Sequence, residues 1–222
     1  MEKQRAVIFV NGELPYLAAL RRLIQPDDYL VAVDGGLRHA LALGLTPRLL
    51  IGDLDSVTSE QIAAMTARGV EVRRFAPRKD ETDLQLAVQA VHEAGYRQVL
   101  LVAALGGRLD HTLGNLYLLT DPALADCEVR LDDGVEEVFL IRKTGEVKGV
   151  AGDLVSLLPV EESASGVTTA GLEYPLRAEV LWRHQPRGVS NVMLGEKAGI
   201  SVTDGTLFCI HTRQGSNINI RS

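Results

Sequence analysis

Residues 1–122 predict an α/β domain built on a parallel sheet, and residues 123–222 predict an all-β sandwich. In the first stretch, short apolar runs alternate with segments of helical period, the rhythm of a parallel sheet. After about Thr120 the texture changes to short strand-like runs divided by turn residues. Pro122, with polar neighbours, marks the boundary.

The first strand is expected at Ala6-Val7-Ile8-Phe9-Val10, followed by a helix from about Leu14 to Ile24. A strand at Tyr29 to Val33, a helix from about Gly36 to Leu43 and a strand at Arg48 to Ile51 come next. The helix near Ser59 to Arg68 stops at Gly69, where a left-handed cap is easiest, and Val70 to Phe75 is the fourth strand. From about Thr82 to Ala94, Leu84, Ala87, Val88 and Val91 fall at i, i+3, i+4 and i+7 and give one apolar face. Gln98 to Ala103 is a fifth strand, and Leu109, Leu113 and Leu116 mark a last helix.

The second stretch offers strands at Val129 to Leu131, Glu136 to Ile141, Leu154 to Leu158, Ala178 to Trp182, Ile200 to Val202 and Leu207 to Ile210. Turns such as Asp132-Asp133-Gly134 and Thr203-Asp204-Gly205 separate them. Lys143-Thr144-Gly145 reads as a turn, and Trp182 as a core residue.

The 222 residues carry a formal net charge of -6 and no Lys/Arg-rich run, which argues against a nucleic-acid partner. No apolar stretch nears the roughly 20 residues that span a bilayer, so no membrane partner is expected and the cytoplasm is the default compartment. Cys127 and Cys209 lie in apolar runs and read as buried free thiols.

In an open parallel sheet, ligands bind at the carboxyl ends of the strands. The loops there are Asp34-Gly35-Gly36, Gly52-Asp53-Leu54-Asp55-Ser56, Lys79-Asp80-Glu81-Thr82-Asp83 and Gly106-Gly107-Arg108-Leu109-Asp110-His111. Each brings at least one aspartate to the same edge. So many carboxylates in one crevice repel unless cations join them or some are protonated, and hard oxygen donors suit magnesium. Asp53 and Asp55, two apart, would face one way in an extended segment, and Asp80 and Asp83, three apart, would share a first helical turn. Gly35-Gly36 and Gly106-Gly107 allow backbone N–H groups to approach an anion, Lys79 and Arg108 could neutralise phosphate, and His111 is expected to be structural.

In order and spacing, these four motifs resemble the thiamine pyrophosphokinase family. Val167-Thr168-Thr169-x-Gly171-Leu172 and Gly188-Val189-Ser190-Asn191 look like that family's β-domain signatures. The resemblance implies transfer of a diphosphoryl group from ATP to the hydroxyl of thiamine, with Mg2+ as cofactor and a homodimer whose active clefts lie between subunits. By the same resemblance Asp53, Asp55, Asp80 and Asp110 surround the metal and triphosphate, with Asp34 close by. Gly35, Gly36, Lys79, Gly107 and Arg108 would serve the nucleotide. Asp83 would contact thiamine, and Ser190 and Asn191 would close its pocket from the partner subunit. Some members stack a C-terminal tryptophan on the thiamine pyrimidine. Here the stretch is Leu207-Phe208-Cys209-Ile210, so Phe208 is either the substitute platform or a core residue. Two rival readings are a haloacid-dehalogenase-like phosphatase with Asp53 as nucleophile and a nonenzymatic magnesium-nucleotide sensor.

Overall fold

The computed structural model describes residues 5–14, 16–76 and 80–214. The chain divides into two compact units, residues 1–133 and residues 134–222. The first contains β1 (Ala6–Phe9), α1 (Leu17–Arg21), β2 (Tyr29–Val33), α2 (Leu37–Ala42), β3 (Leu49–Gly52) and α3 (Ser59–Ala67). It continues with β4 (Glu71–Arg74), α4 (Asp83–Glu93), β5 (Gln98–Val102), α5 (Leu109–Leu118) and β6 (Glu128–Asp132).

Within this unit the strands lie in the order β6-β5-β1-β2-β3-β4, every neighbouring pair parallel. β1 is apolar at all four positions and fully buried, as a strand covered on both faces must be. β4, at the edge, carries exposed Glu71, Arg73 and Arg74 instead, charges that discourage further strand pairing. Val7, Phe9, Leu20, Ala40 and Leu100 pack in one apolar cluster, and Ala32, Leu37, Leu50, Leu54 and Met65 in another. α4 buries Leu84, Ala87, Val88 and Val91, the face its spacing predicts.

α5 forms where expected but buries none of its residues, and Leu109, Leu113 and Tyr117 stay largely exposed. A second difference concerns β6. Its residues look like the opening strand of the β-rich stretch, yet they pair parallel with β5 from Gln98↔Glu128 to Leu101↔Leu131. The first unit therefore runs on to Asp133, past the boundary drawn at Pro122, because the proline starts a short 3-10 turn (Pro122–Leu124) rather than a linker.

The second unit contains β7 (Glu136–Ile141), β8 (Thr144–Lys148), β9 (Leu154–Pro159), β10 (Ser163–Ala170), β11 (Glu179–Trp182), β12 (Asn191–Val192), β13 (Lys197–Ser201) and β14 (Leu207–Thr212). Its strands are ordered β12-β9-β14-β7 and β11-β10-β13-β8, with antiparallel neighbours. Phe139, Val155 and Leu157 from one set meet Val147, Val167, Leu181 and Ile200 from the other in a single apolar core, the interior of a sandwich. Two readings depart from expectation. Thr144 and Gly145 are not a turn but open β8, paired with Ser201 and Ile200. Trp182 is 40% exposed, its ring tilted against His184 at 6.0 Å. Cys127 and Cys209 are buried and not in a disulfide, as read. Among the described residues, no helix is long and apolar enough to cross a membrane.

Candidate active site

The carboxyl edge of the first unit's sheet is where its backbone is most distorted. Of the non-glycine residues with positive φ, Asp34 (46°) follows β2, Leu54 (62°) follows β3 and Ala103 (57°) follows β5. Such conformations persist only when the surroundings enforce them, and they gather at functional sites. Here the enforcing contact is visible, because Asp34 Oδ1 accepts the Leu54 N–H at 3.0 Å while the Leu54 side chain is buried in the core. Gly52 makes the approach possible. Its φ is 142°, and a Cβ there would collide with the Asp34 carboxylate.

This arrangement brings carboxylate oxygens of Asp34, Asp53 and Asp83 within 4.8 Å of one another. Asp83 arrives as the first residue of α4, after Thr82, whose side chain caps the helix by accepting the Gln85 N–H at 3.1 Å. Asp80 thus precedes the helix, is exposed, and does not share the first turn with Asp83. Asp53 and Asp55 do not lie on one extended segment either, because left-handed Leu54 between them breaks the period. Asp53 Oδ1 accepts the Asp55 N–H at 3.0 Å, and Asp55 is exposed.

Like charges this close raise the proton affinity of a partly buried carboxyl. Asp34 is pushed up to about 6, first by burial and then by the charges of Asp83, Asp53 and Asp55, against the pull of the Leu54 amide. With the folded value above the ordinary 3.8, stability without a cation is fullest below about 3.8 and declines as pH rises through about 6. Asn at position 34 keeps an acceptor for Leu54 and tolerates left-handed backbone. Asp34→Asn is therefore expected to stabilise the metal-free protein by roughly 1–2 kcal/mol at pH 8, discounted for partial exposure, and by much less near pH 4. Urea denaturation at the two pH values measures the difference.

The cluster borders a cleft of about 950 Å3 that Asp34, Asp83, Gly106, Gly107, Arg108 and Asp110 help to line, large enough for a nucleotide-sized ligand. Gly106 and Gly107 have φ values of 78° and 71° and are exposed there. Gly35 and Gly36 are buried, tucked under Asn11 and the Phe9 carbonyl. Arg108 is held by Asp110, Nη2 to Oδ2 at 2.7 Å, and that contact keeps the Asp110 carboxyl below its ordinary value. Asp110 lies in the cleft but outside the group of three. His111, expected to be structural, is exposed on the cleft wall. Lys79 falls outside the described residues.

The loop after β1 also belongs to the cleft, and the sequence reading passed over it. Asn11, Gly12 and Glu13 line it together with Arg38. The Arg38 guanidinium donates to Asn11 Oδ1, and its Nη2 to the carbonyls of Asn11 at 3.2 Å and Gly12 at 3.0 Å. Asn115 Nδ2 ties α5 to the Ala104 carbonyl at 2.8 Å. The rule that singled out the other four loops reaches Asn11-Gly12-Glu13 once it is applied to the first strand as well.

In the second unit Asn191 borders a smaller hollow of about 470 Å3 with Tyr174, Arg187 and Val189. Its side chain accepts the Tyr174 N–H at 3.0 Å and donates to the Tyr174 carbonyl at 2.7 Å. Ser190 is exposed at φ 58°, its N–H given to Ser156 Oγ. Phe208 is half-buried. It alternates with fully buried Leu207 and Cys209 and so faces away from the core.

Similarity to known proteins follows the same division. Residues 20–131 match the thiamin pyrophosphokinase catalytic domain, and residues 141–207 match the thiamin pyrophosphokinase vitamin B1 binding domain. Thiamine pyrophosphokinase of Bacillus subtilis is 26% identical over 185 residues, 82% of this chain and 86% of that protein. The B. subtilis crystal structure superposes with a TM-score of 0.85 at 24% identity, covering 95% of this chain and all of that one. The enzyme of Geobacillus thermodenitrificans gives 0.82 at 27% identity, covering 96% and 99%. Neither the phosphatase nor the sensor reading finds support among these relatives. The chain belongs to the thiamin pyrophosphokinase family.

Proposed function

We propose that the cleft of the first unit binds ATP with a divalent cation and transfers its diphosphoryl group to the hydroxyl of thiamine, giving thiamine diphosphate and AMP. The observation that carries this reading is the convergence of Asp34, Asp53 and Asp83 at the cleft, on backbone distorted to bring them there. Oxygen-only donors with mutual repulsion suit Mg2+, so these residues fit the cofactor. Asp53 would hold it with Asp34 and Asp83 beside it. Asp55, Asp80 and Asp110, the remaining carboxylates assigned by resemblance, would complete the acidic surround of the polyphosphate. Bound there, the cation would offset charge on the phosphoryl oxygens during transfer.

The chain's own residues supply position and the proton path. Arg38, anchored on the loop after β1, and Arg108 would face phosphate, while the exposed N–H groups of Gly106 and Gly107 line the wall beside them. Asp83 would orient the thiamine hydroxyl and take its proton as the oxygen bonds to the β-phosphorus. The bond from that phosphorus to the α-phosphate oxygen breaks, and AMP leaves. Placement and electrostatics supply most of such a rate.

A homodimer is part of the reading. The uncovered apolar face of α5, with Leu109, Leu113 and Tyr117, and exposed Tyr174 and Leu194 in the second unit support it. Ser190 of the partner subunit and Asn191 of the partner subunit would close over thiamine, with Phe208 as the aromatic nearest to a stacking role. A cytoplasmic location is part of the same reading. Incubation with ATP, Mg2+ and thiamine tests the function: the expected result is AMP and thiamine diphosphate by mass in equal amounts. AMP formation that proceeds without thiamine, or no product at all, contradicts it.

A further inference from the structure

We propose that His92, Asp126 and Cys127 form a separate metal site that selects a borderline divalent ion such as Zn2+ over Mg2+. His92 lies in the last turn of α4, and Asp126 and Cys127 directly precede β6. Folding of the first unit brings their donor atoms within 4.8 Å of one another. His92 Nε2 is 3.1 Å from Asp126 Oδ1, and Cys127 Sγ is 3.7 Å from the same oxygen. Tetrahedral bonds of about 2.0–2.3 Å separate their donors by roughly 3.3–3.8 Å, so two of the three edges already have about ligand spacing.

The imidazole N–H and the thiol S–H both point at one carboxylate oxygen, an arrangement in which one cation can replace two hydrogens. The second oxygen of Asp126 accepts from Arg97 Nε at 2.7 Å, the kind of outer contact that orients a ligating carboxylate. The His92 and Asp126 side chains are 25% and 57% exposed, which gives an ion a way in, whereas Cys127 is buried. Nitrogen, oxygen and sulfur together favour Zn2+, while Mg2+ prefers the all-oxygen cluster of the cleft.

Binding releases one proton. The Cys127 thiol gives its proton to solvent and its sulfur to the ion, while His92 coordinates through Nε2 in the tautomer that carries its hydrogen on Nδ1. Burial, aided by the Asp126 charge, holds the Cys127 thiol above its ordinary value, so without an ion that proton stays on sulfur. The ion would clip the end of α4 to the entry of β6.

Titration of the chelator-treated full chain with Co2+, followed by displacement with Zn2+, tests the site. The expected result is a thiolate-to-cobalt absorption band saturating at one ion per chain and erased by Zn2+. The band persists in Cys209→Ser and in Asp53→Asn and disappears in Cys127→Ser. Because Cys127 is buried, the partly exposed His92→Gln gives an independent arm, in which Co2+ affinity falls about tenfold or more. No band in the wild-type chain, a band surviving Cys127→Ser, a band lost with Cys209→Ser, or unchanged affinity in His92→Gln would each overturn the proposal.

Discussion

Asp53→Asn is expected to lower turnover by roughly 10³-fold or more, about 4 kcal/mol of lost transition-state charge stabilisation. Asp53 joins Asp34 and Asp83 in the only three-aspartate group among the described residues. On the proposed reading, removing its charge would weaken the hold on a cation beside the polyphosphate. The fold should survive, because asparagine keeps an oxygen for the Asp55 N–H that Asp53 Oδ1 now accepts. It also removes one charge from a repulsive group, so the metal-free variant should be as stable as the parent or slightly more so. Asp55→Asn is expected to lose turnover as well. Steady-state kinetics across a range of Mg2+ concentrations, with a thermal melt beside them, separate the two quantities. Full activity in a folded Asp53→Asn protein would remove the carboxylate from the mechanism.

The second large effect is expected from Gly52→Ala, which places no group in the cleft. Its Cβ would collide with the Asp34 carboxylate, and its φ of 142° lies where alanine is strained. Asp34 would have to leave the Leu54 amide, releasing the left-handed residue that sets the direction of Asp53. A loss of roughly 2–4 kcal/mol in stability together with most of the activity is expected. Gly44→Ala is the control. Gly44 also has positive φ, 72°, but an added Cβ there meets nothing within 4 Å. It should cost only the backbone term, roughly 1–2 kcal/mol, and leave turnover unchanged. Chemical denaturation and turnover of both variants decide whether the Gly52 effect is local strain or loss of the Asp34 contact.

Much of this was legible in the sequence because local signals and the sheet's demands agree. Fully apolar runs such as Ala6-Val7-Ile8-Phe9 suit strands covered on both faces, and the Leu84, Ala87, Val88, Val91 spacing gives a helix one apolar side to bury. The edge rule likewise points to the loops that carry Asp34, Asp53 and Asp83. What escaped depends on contacts between distant residues. Nothing local makes Leu54 left-handed; Asp34, 20 positions earlier, holds it there. The alternation expected of Asp53 and Asp55 therefore failed, while Thr82 took the cap and left Asp80 outside the helix. Trp182 reads as core by residue type, which reports a wish for burial without saying what covers it. β6 was assigned by its neighbours in the chain, although its partner is β5.

Calorimetric titration of the protein with Mg2+ in the presence of a nonhydrolysable ATP analogue bears most directly on the three-carboxylate site. The expected result is saturable binding in the parent chain that weakens at least about tenfold in Asp53→Asn and in Asp83→Asn. Equal affinity in the parent and both variants, with all three proteins folded, would contradict it.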